Sequence, residues 1–305
     1  MGKSSSKGKY IGITLGAALI YSFSVPCLTL FGGFLPSILQ GSFMYFGATI
    51  AMLIFMIVSK FSKAKKEERL TKKELPYLIA ITLTDMVSSV LLMYGLKLVS
   101  SDVSSLLLSF QTIMTALIAV IFFKERLGLL GWIGLGLVLA SSIALNISDK
   151  GFTFNYGCIF ILIPCVLWGI QNNLSRKISY KDPKEIIFYK SLFTGISNLI
   201  ISSLIGETLN SSNYIYGFYT MLLGMMTYGL AIMLYIIACR GLGTGIASSF
   251  FGINPFLGSL ISIMVFSLIP TISFYVSGVL MVGGMIVLSF NSYRKEKKNK
   301  LTLKS

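Results

Sequence analysis

Leu96-Lys97-Leu98-Val99-Ser100-Ser101-Asp102-Val103-Ser104-Ser105 decides the architecture, because the chain uses its pattern twice. Shifted by 143 residues, the same pattern reads Cys239-Arg240-Gly241-Leu242-Gly243-Thr244-Gly245-Ile246-Ala247-Ser248. A basic residue, a turn of small residues and a following apolar run fall in register without a gap. Further on, Gln111-Thr112 meets Asn254-Pro255 at the same shift, so an amide recurs as well. Upstream, Pro36 matches Pro183 and Tyr21 matches Trp168 at a shift of 147. The chain therefore reads as two related halves.

Apolar blocks of about 20 residues surround these signatures, the length a helix needs to cross a hydrocarbon layer of about 30 Å. Of 305 residues, 54% are hydrophobic and 12% charged, half the charge of a soluble domain. There is too little polar surface to cover a water-soluble body, and the class expected is an all-α membrane protein. The spans fall near 10–31, 37–59, 76–96, 102–122, 128–147, 156–175, 185–206, 217–238, 244–266 and 272–291. The first of these exceeds the 7–15 apolar residues of a signal-peptide core and is read as a span, not a cleaved leader.

The basic residues test this division. With the N-terminus inside, 23 of the 26 Lys and Arg fall in inner segments, Lys97 and Lys150 fall outside, and Lys190 lies within a span. That is the positive-inside pattern, and it is expected to leave both termini in the cytoplasm. It also accounts for the net charge of +15 without a nucleic-acid partner, since no basic face is formed. The expected organisation is a cytoplasmic tail 1–9, a first repeat 10–147 with five helices, a second repeat 148–291 with five more, and a basic tail 292–305. Five spans is an odd number, so the second half enters the membrane from the opposite side. Inverted repeats of this kind are found in many secondary transporters.

The chain has no His, which excludes imidazole catalysis and His–metal ligation. Cys27, Cys158, Cys165 and Cys239 form no CxxC pair and read as small buried hydrophobes. No phosphate-binding Gly-rich loop or paired catalytic carboxylates occur, so neither ATP drive, enzymatic work, a metal nor a cofactor is expected.

Ionisable residues inside spans cost about 2.5–3.5 kcal/mol at mid-helix, and they normally face a cavity or a partner. Asp85 lies near mid-depth in the third span and Lys190 near the inner end of the seventh. Asp85 reads as a contact to a substrate amine, as a proton-coupling carboxylate, or as a group satisfied by Thr82, Ser88 or Ser89. Lys190 reads as an anion contact, or as a stem that snorkels toward Lys184 and Lys181. Their mutual pairing is left open.

Tyr21 and Trp168 hold matching places in the first span of each half, and Gln111 and Asn254 match in the fourth. Asn172 and Asn173 lie one turn beyond Trp168, and Tyr94 and Tyr228 sit in spans three and eight. Amides and amphipathic rings suit a nitrogenous solute, or serve ordinary interhelical bonding. Asn254-Pro255 reads as a gating hinge or a static bend. Lys97 and Asp102 read as loop charges or an outer gate, and Glu125 and Arg126 as a local ion pair at an inner helix end. The charged segment from Lys60 to Glu74 is a solvated loop that can meet anionic lipid. The glycines of spans five and ten pack within one protomer or form a homodimer face. The sequons at Asn146 and Asn210 fall outside in this topology.

Tyr94-Gly95-Leu96-Lys97, the small-residue turn after it, and Phe123-Lys124-Glu125-Arg126-Leu127 before Gly131-Trp132-Ile133-Gly134-Leu135-Gly136 resemble one EamA-type domain. Leu167-Trp168-Gly169, Asn254-Pro255 and Gly278 resemble a second. The resemblance covers about residues 10–291 and implies the drug/metabolite transporter superfamily, with ten helices in two inverted repeats. The halves differ where Glu125 has no acidic counterpart near Leu268, and where Phe43 stands opposite Lys190. What is implied is a secondary transporter of the plasma (inner) membrane that exports amino acids or related polar metabolites. An organic-phosphate or nucleotide-sugar carrier and a non-transporting receptor are the alternatives.

Overall fold

The computed structural model describes residues 4–61, 67–98, 107–108, 110–122, 124, 127–145, 156–208, 210, 213–267, 270 and 272–302. These residues are helical nearly throughout, and none of them forms a strand; an isolated bridge joins Glu68 and Lys181. The helices are α1 (Ser4–Ser22), α2 (Ser24–Gly32), α3 (Ser37–Phe61), α4 (Leu75–Leu98), α5 (Phe110–Ile121) and α6 (Leu129–Leu145). The second half holds α7 (Gly157–Lys177), α8 (Pro183–Leu204), α9 (Tyr214–Gly224), a π-helical segment (Met225–Ala231), α10 (Ile232–Leu242), α11 (Thr244–Phe251), α12 (Asn254–Phe266) and α13 (Ile272–Thr302).

Among the described residues, seven helical stretches are long and apolar enough to cross a membrane: Lys7–Leu28, Ser37–Phe61, Leu75–Gly95, Gly157–Lys177, Pro183–Leu204, Tyr214–Leu242 and Thr244–Val265. Three further apolar helices, Phe110–Ile121, Leu129–Ser141 and Ile272–Leu288, are shorter. Several expected spans are not simple rods. The first bends at Phe23, between α1 and α2. The eighth widens into the π segment around Tyr228, an arrangement frequent at functional sites. The ninth stops at Phe251 and restarts at Asn254, with Pro255 in the first turn of the new helix, where its missing N–H costs no bond. The tenth does not stop at 291 but runs on to Thr302.

Among the most extensive helix contacts are those of α6 with α13, α3 with α8, α4 with α7, α5 with α7, α3 with α9 and α1 with α10. Exchanging the two halves turns α4·α7 into α1·α10, and leaves α3·α8 and α6·α13 as pairs of matching elements. Small and hydroxylated residues hold these crossings, as expected where lipid removes the hydrophobic drive between helices. Ser42 donates to the Gly195 carbonyl (2.8 Å) between α3 and α8. Ser141 meets the hydroxyl of Ser277 (2.9 Å) between α6 and α13. α3 crosses α9 most closely at Gly47 and Gly224: a Cβ at Gly47 would overlap the Met221 carbonyl, and one at Gly224 the Met44 carbonyl.

A polar strap ties together the ends of α4, α7, α8 and α10. Arg240 grips Glu67 with two nitrogens (3.0 and 2.8 Å) and also donates to the carbonyls of Ser179 and Lys181. Lys181 reaches Glu68 (3.3 Å). Glu185 accepts from the Leu70 amide (2.7 Å). Glu74 accepts from the hydroxyls of Thr71 (2.6 Å) and Tyr180 (2.6 Å).

These hydroxyls hold the Glu74 carboxyl down to about 2, from an ordinary 4.5. The carboxylate form is thus favoured by the fold, so its contribution is complete above about pH 4.5 and is lost as pH falls toward about 2. Melting temperatures of the purified protein should therefore drop on acidification through that window. They should drop less in Glu74→Gln, which has no proton to take up. Parallel acid profiles for the two proteins would contradict the assignment.

Candidate functional site

A narrow cavity of about 50 Å³ lies between the halves, walled by side chains of α1, α3, α4, α5, α7, α8, the π segment and α10. Each helix contributes one face. α7 gives Trp168, Gln171, Asn172 and Ser175, a set spaced three, four and seven residues from the first, as one helical stripe requires. Helix α8 gives Ile186, Ile187 and Lys190, and the π segment and α10 give Tyr228, Ile232, Tyr235 and Ile236.

Asp85 and Lys190 meet in this cavity. The ammonium of Lys190 stands 3.1 Å from Asp85 Oδ2, and the two side chains are 9% and 2% exposed, respectively. Lys190 thus turns inward and does not snorkel. Thr82 and Ser88 bond to carbonyls of their own helix (2.8 and 2.6 Å), and Ser89 bonds to Asn198 (2.8 Å). None of the three serves Asp85. The Asp85 carboxylate instead accepts from Trp168 Nε1 (3.1 Å). Oriented by the bonds it can make, the Gln171 amide donates to Asp85 Oδ1 (3.2 Å) and accepts from Lys190 Nζ (3.0 Å). The Lys190 ammonium also lies 5.8 Å from the Tyr45 ring centroid, within cation–π range. Two desolvated charges thus offset each other, with an amide bridging them and rings around them.

Aromatic side chains divide the interior. Tyr21 stacks on Tyr228 (5.9 Å between centroids), and Tyr45 meets Tyr228 edge-on (5.1 Å). Tyr45, Trp168 and Tyr228 line the central cavity and also a second one, whose walls include Leu28, Gln40, Leu92 and Met93. The three rings therefore form a partition between two chambers. Against the first chamber α5 is fixed by Asn172, which donates to Thr115 Oγ1 (3.2 Å), and by Asn173, which donates to the Thr115 carbonyl (3.0 Å).

Of the residues singled out by sequence, Tyr21, Asp85, Gln111, Trp168, Asn172, Lys190 and Tyr228 all line the central cavity. Tyr94 does not: it is half-exposed and packs edge-on against Phe160 (5.0 Å). Asn254 does not either, because its amide closes back on the Phe251 carbonyl (3.1 Å). Sequence reasoning passed over Gln171 and Tyr45. Gln171 carried a signal, since it lies one turn from Trp168 on the same stripe. The side chains of Lys97, Asp102, Glu125, Arg126 and Asn146 lie outside the described residues.

Residues 8–147 and 155–290 each match the EamA-like transporter family. The chain is also 22% identical, over 267 residues, to an uncharacterized transporter of Methanothermobacter thermautotrophicus, covering 83% of this chain and 76% of that one. A solved crystal structure shares the fold with a TM-score of 0.80 at 16% identity, covering 95% of this chain and 99% of the other.

Proposed function

Because the chain belongs to the EamA-like transporter family, it is a membrane transporter, and we propose that its cargo is a small zwitterionic metabolite of the amino-acid type, exported by alternating access. The observation that carries this reading is the buried pair of Asp85 and Lys190, one from each half, at 3.1 Å inside the central cavity. An α-ammonium group replaces Lys190 as the partner of Asp85. An α-carboxylate replaces Asp85 as the partner of Lys190. The empty site is neutral because its charges pair, and the loaded site is neutral because the solute supplies both counter-charges. A singly charged solute would leave one buried charge uncompensated, which is the costly case. Tyr21, Tyr45, Trp168 and Tyr228 supply flat walls for an apolar side chain.

Alternating access is supported by the ring partition of Tyr45, Trp168 and Tyr228 between the two chambers. It is supported as well by helix contacts that map onto one another when the halves are exchanged. In this reading the three shorter apolar helices complete ten spans in two inverted repeats. In this reading both termini lie in the cytoplasm, which the distribution of Lys and Arg supports, and the protein resides in the plasma (inner) membrane.

Counterflow in proteoliposomes tests the cargo. Neutral amino acids should exchange across the membrane, whereas simple amines, monocarboxylates and sugar phosphates should not. Exchange confined to phosphorylated solutes, or no exchange of any solute, would overturn the proposal.

A further inference from the structure

On its outer flank, away from the central site, the protein carries a groove of about 650 Å³ between α4 and α8. The α4 wall is Leu75, Leu78, Ile79, Thr82, Leu83 and Met86, a single stripe along the helix. From Leu75 to Met86 this stripe rises about 16 Å at 1.5 Å per residue, which is one leaflet of a hydrocarbon layer about 30 Å thick. Tyr189 and Phe193, one turn apart on α8, form the other wall. Leu75, Ile79, Leu83 and Phe193 are each about half exposed. The groove ends at Leu70, Thr71 and Lys72, where α4 begins.

Charge at that end is unbalanced. Glu185 is taken by the Leu70 amide and Arg69, and Glu74 by Thr71, Tyr180 and Lys181. Glu68 is taken by Lys181. Lys72 and Lys73 are exposed and have no carboxylate partner among the described residues. An apolar trough one leaflet deep, closed at the surface by exposed lysines, has the complement of an acyl chain attached to a negative headgroup.

We infer that this groove between α4 and α8 is a binding site for one anionic phospholipid, its chain along the α4 stripe and its phosphate at Lys72. The topology proposed above makes this the cytoplasmic leaflet; the site itself does not depend on the cargo. A lipid here lies against the helix that carries Asp85 and the helix that carries Lys190.

Native mass spectrometry of the detergent-purified protein, titrated with phosphatidylglycerol or phosphatidylcholine of equal chain length, tests the site. Wild type should retain one phosphatidylglycerol in clear preference to phosphatidylcholine. Lys72→Gln should erase about fivefold of that preference, the effect of one lysine near an anionic surface. Leu83→Trp, or Ile79→Trp as a second filling variant, should lower retention of both lipids. Lys60→Gln, outside the groove, should leave the preference intact, and excess inorganic phosphate should not displace the lipid. Equal retention of the two lipids by wild type would overturn the inference, as would equal effects of the Lys72 and Lys60 substitutions. Displacement by inorganic phosphate would assign the site to free anions. Dimers that dissociate in Leu83→Trp without any lipid adduct would assign the groove to a second copy of the chain.

Discussion

Asp85→Asn and Lys190→Gln should each reduce counterflow of a zwitterionic solute by about tenfold or more, equivalent to losing at least about 1.4 kcal/mol of solute interaction. Under the proposed cargo, each substitution removes one of the two counter-charges offered to the solute. Each also leaves its partner charge buried, because the Lys190 and Asp85 side chains are 9% and 2% exposed. Breaking such a pair destabilises by about 3–5 kcal/mol, so both single variants should melt well below wild type. The double variant Asp85→Asn/Lys190→Gln separates folding from transport. With both charges gone and Gln171 still able to bridge two amides, it should recover most of the lost stability while remaining inactive. A purely structural ion pair would behave otherwise: the double variant would regain transport along with its stability. Full flux in Asp85→Asn would remove the pair from the site.

Gly224→Val should prevent accumulation of folded protein, and Gly47→Val should do the same. At either position even a Cβ would overlap a carbonyl of the facing helix, with Met44 opposite Gly224 and Met221 opposite Gly47. Backbone, unlike the tip of a flexible side chain, cannot move aside without shifting its helix. Overpacking of a tight core costs about 1–3 kcal/mol and occasionally more, and here the clash sits next to the π segment that carries Tyr228. Gly136→Val is the control, because nothing lies within 4 Å of a Cβ there. Yields and size-exclusion profiles in detergent check the comparison. Normal yields of both Gly224→Val and Gly47→Val would show that α3 and α9 do not cross so closely.

The sequence made the helices readable because lipid demands long apolar runs, and such runs need no tertiary information. It also made most of the cavity readable, since polar groups within spans must face something polar. The outward orientation of Tyr94 was legible as well. This residue lies nine residues after Asp85, half a turn out of phase at 3.6 residues per turn, so it had to face away from the cavity that Asp85 faces. Asn254 was not readable in this way. Its match to Gln111 assumed a continuous ninth span, and the break between Phe251 and Asn254 turns its amide back onto its own chain. Nor could the pairing of Asp85 with Lys190 be read, because residues on helices so distant in sequence meet only through the rotation of α4 against α8. Glu74 and Arg240 looked like loop charges; the strap they form depends on three segments coming together in space.

Opposed orientation of the two halves is the premise on which the central site depends, and the side of the membrane reached by the link between them tests it most directly. Single cysteines at Lys7, Ser148 and Ser305, in a background with the native cysteines replaced, should be challenged with a membrane-impermeant maleimide on intact cells. Labelling of Ser148→Cys in intact cells, with Lys7→Cys and Ser305→Cys labelled only after permeabilisation, is the result predicted. Labelling of Ser148→Cys and Lys7→Cys from the same side would make the halves parallel and contradict the inverted arrangement around Asp85 and Lys190.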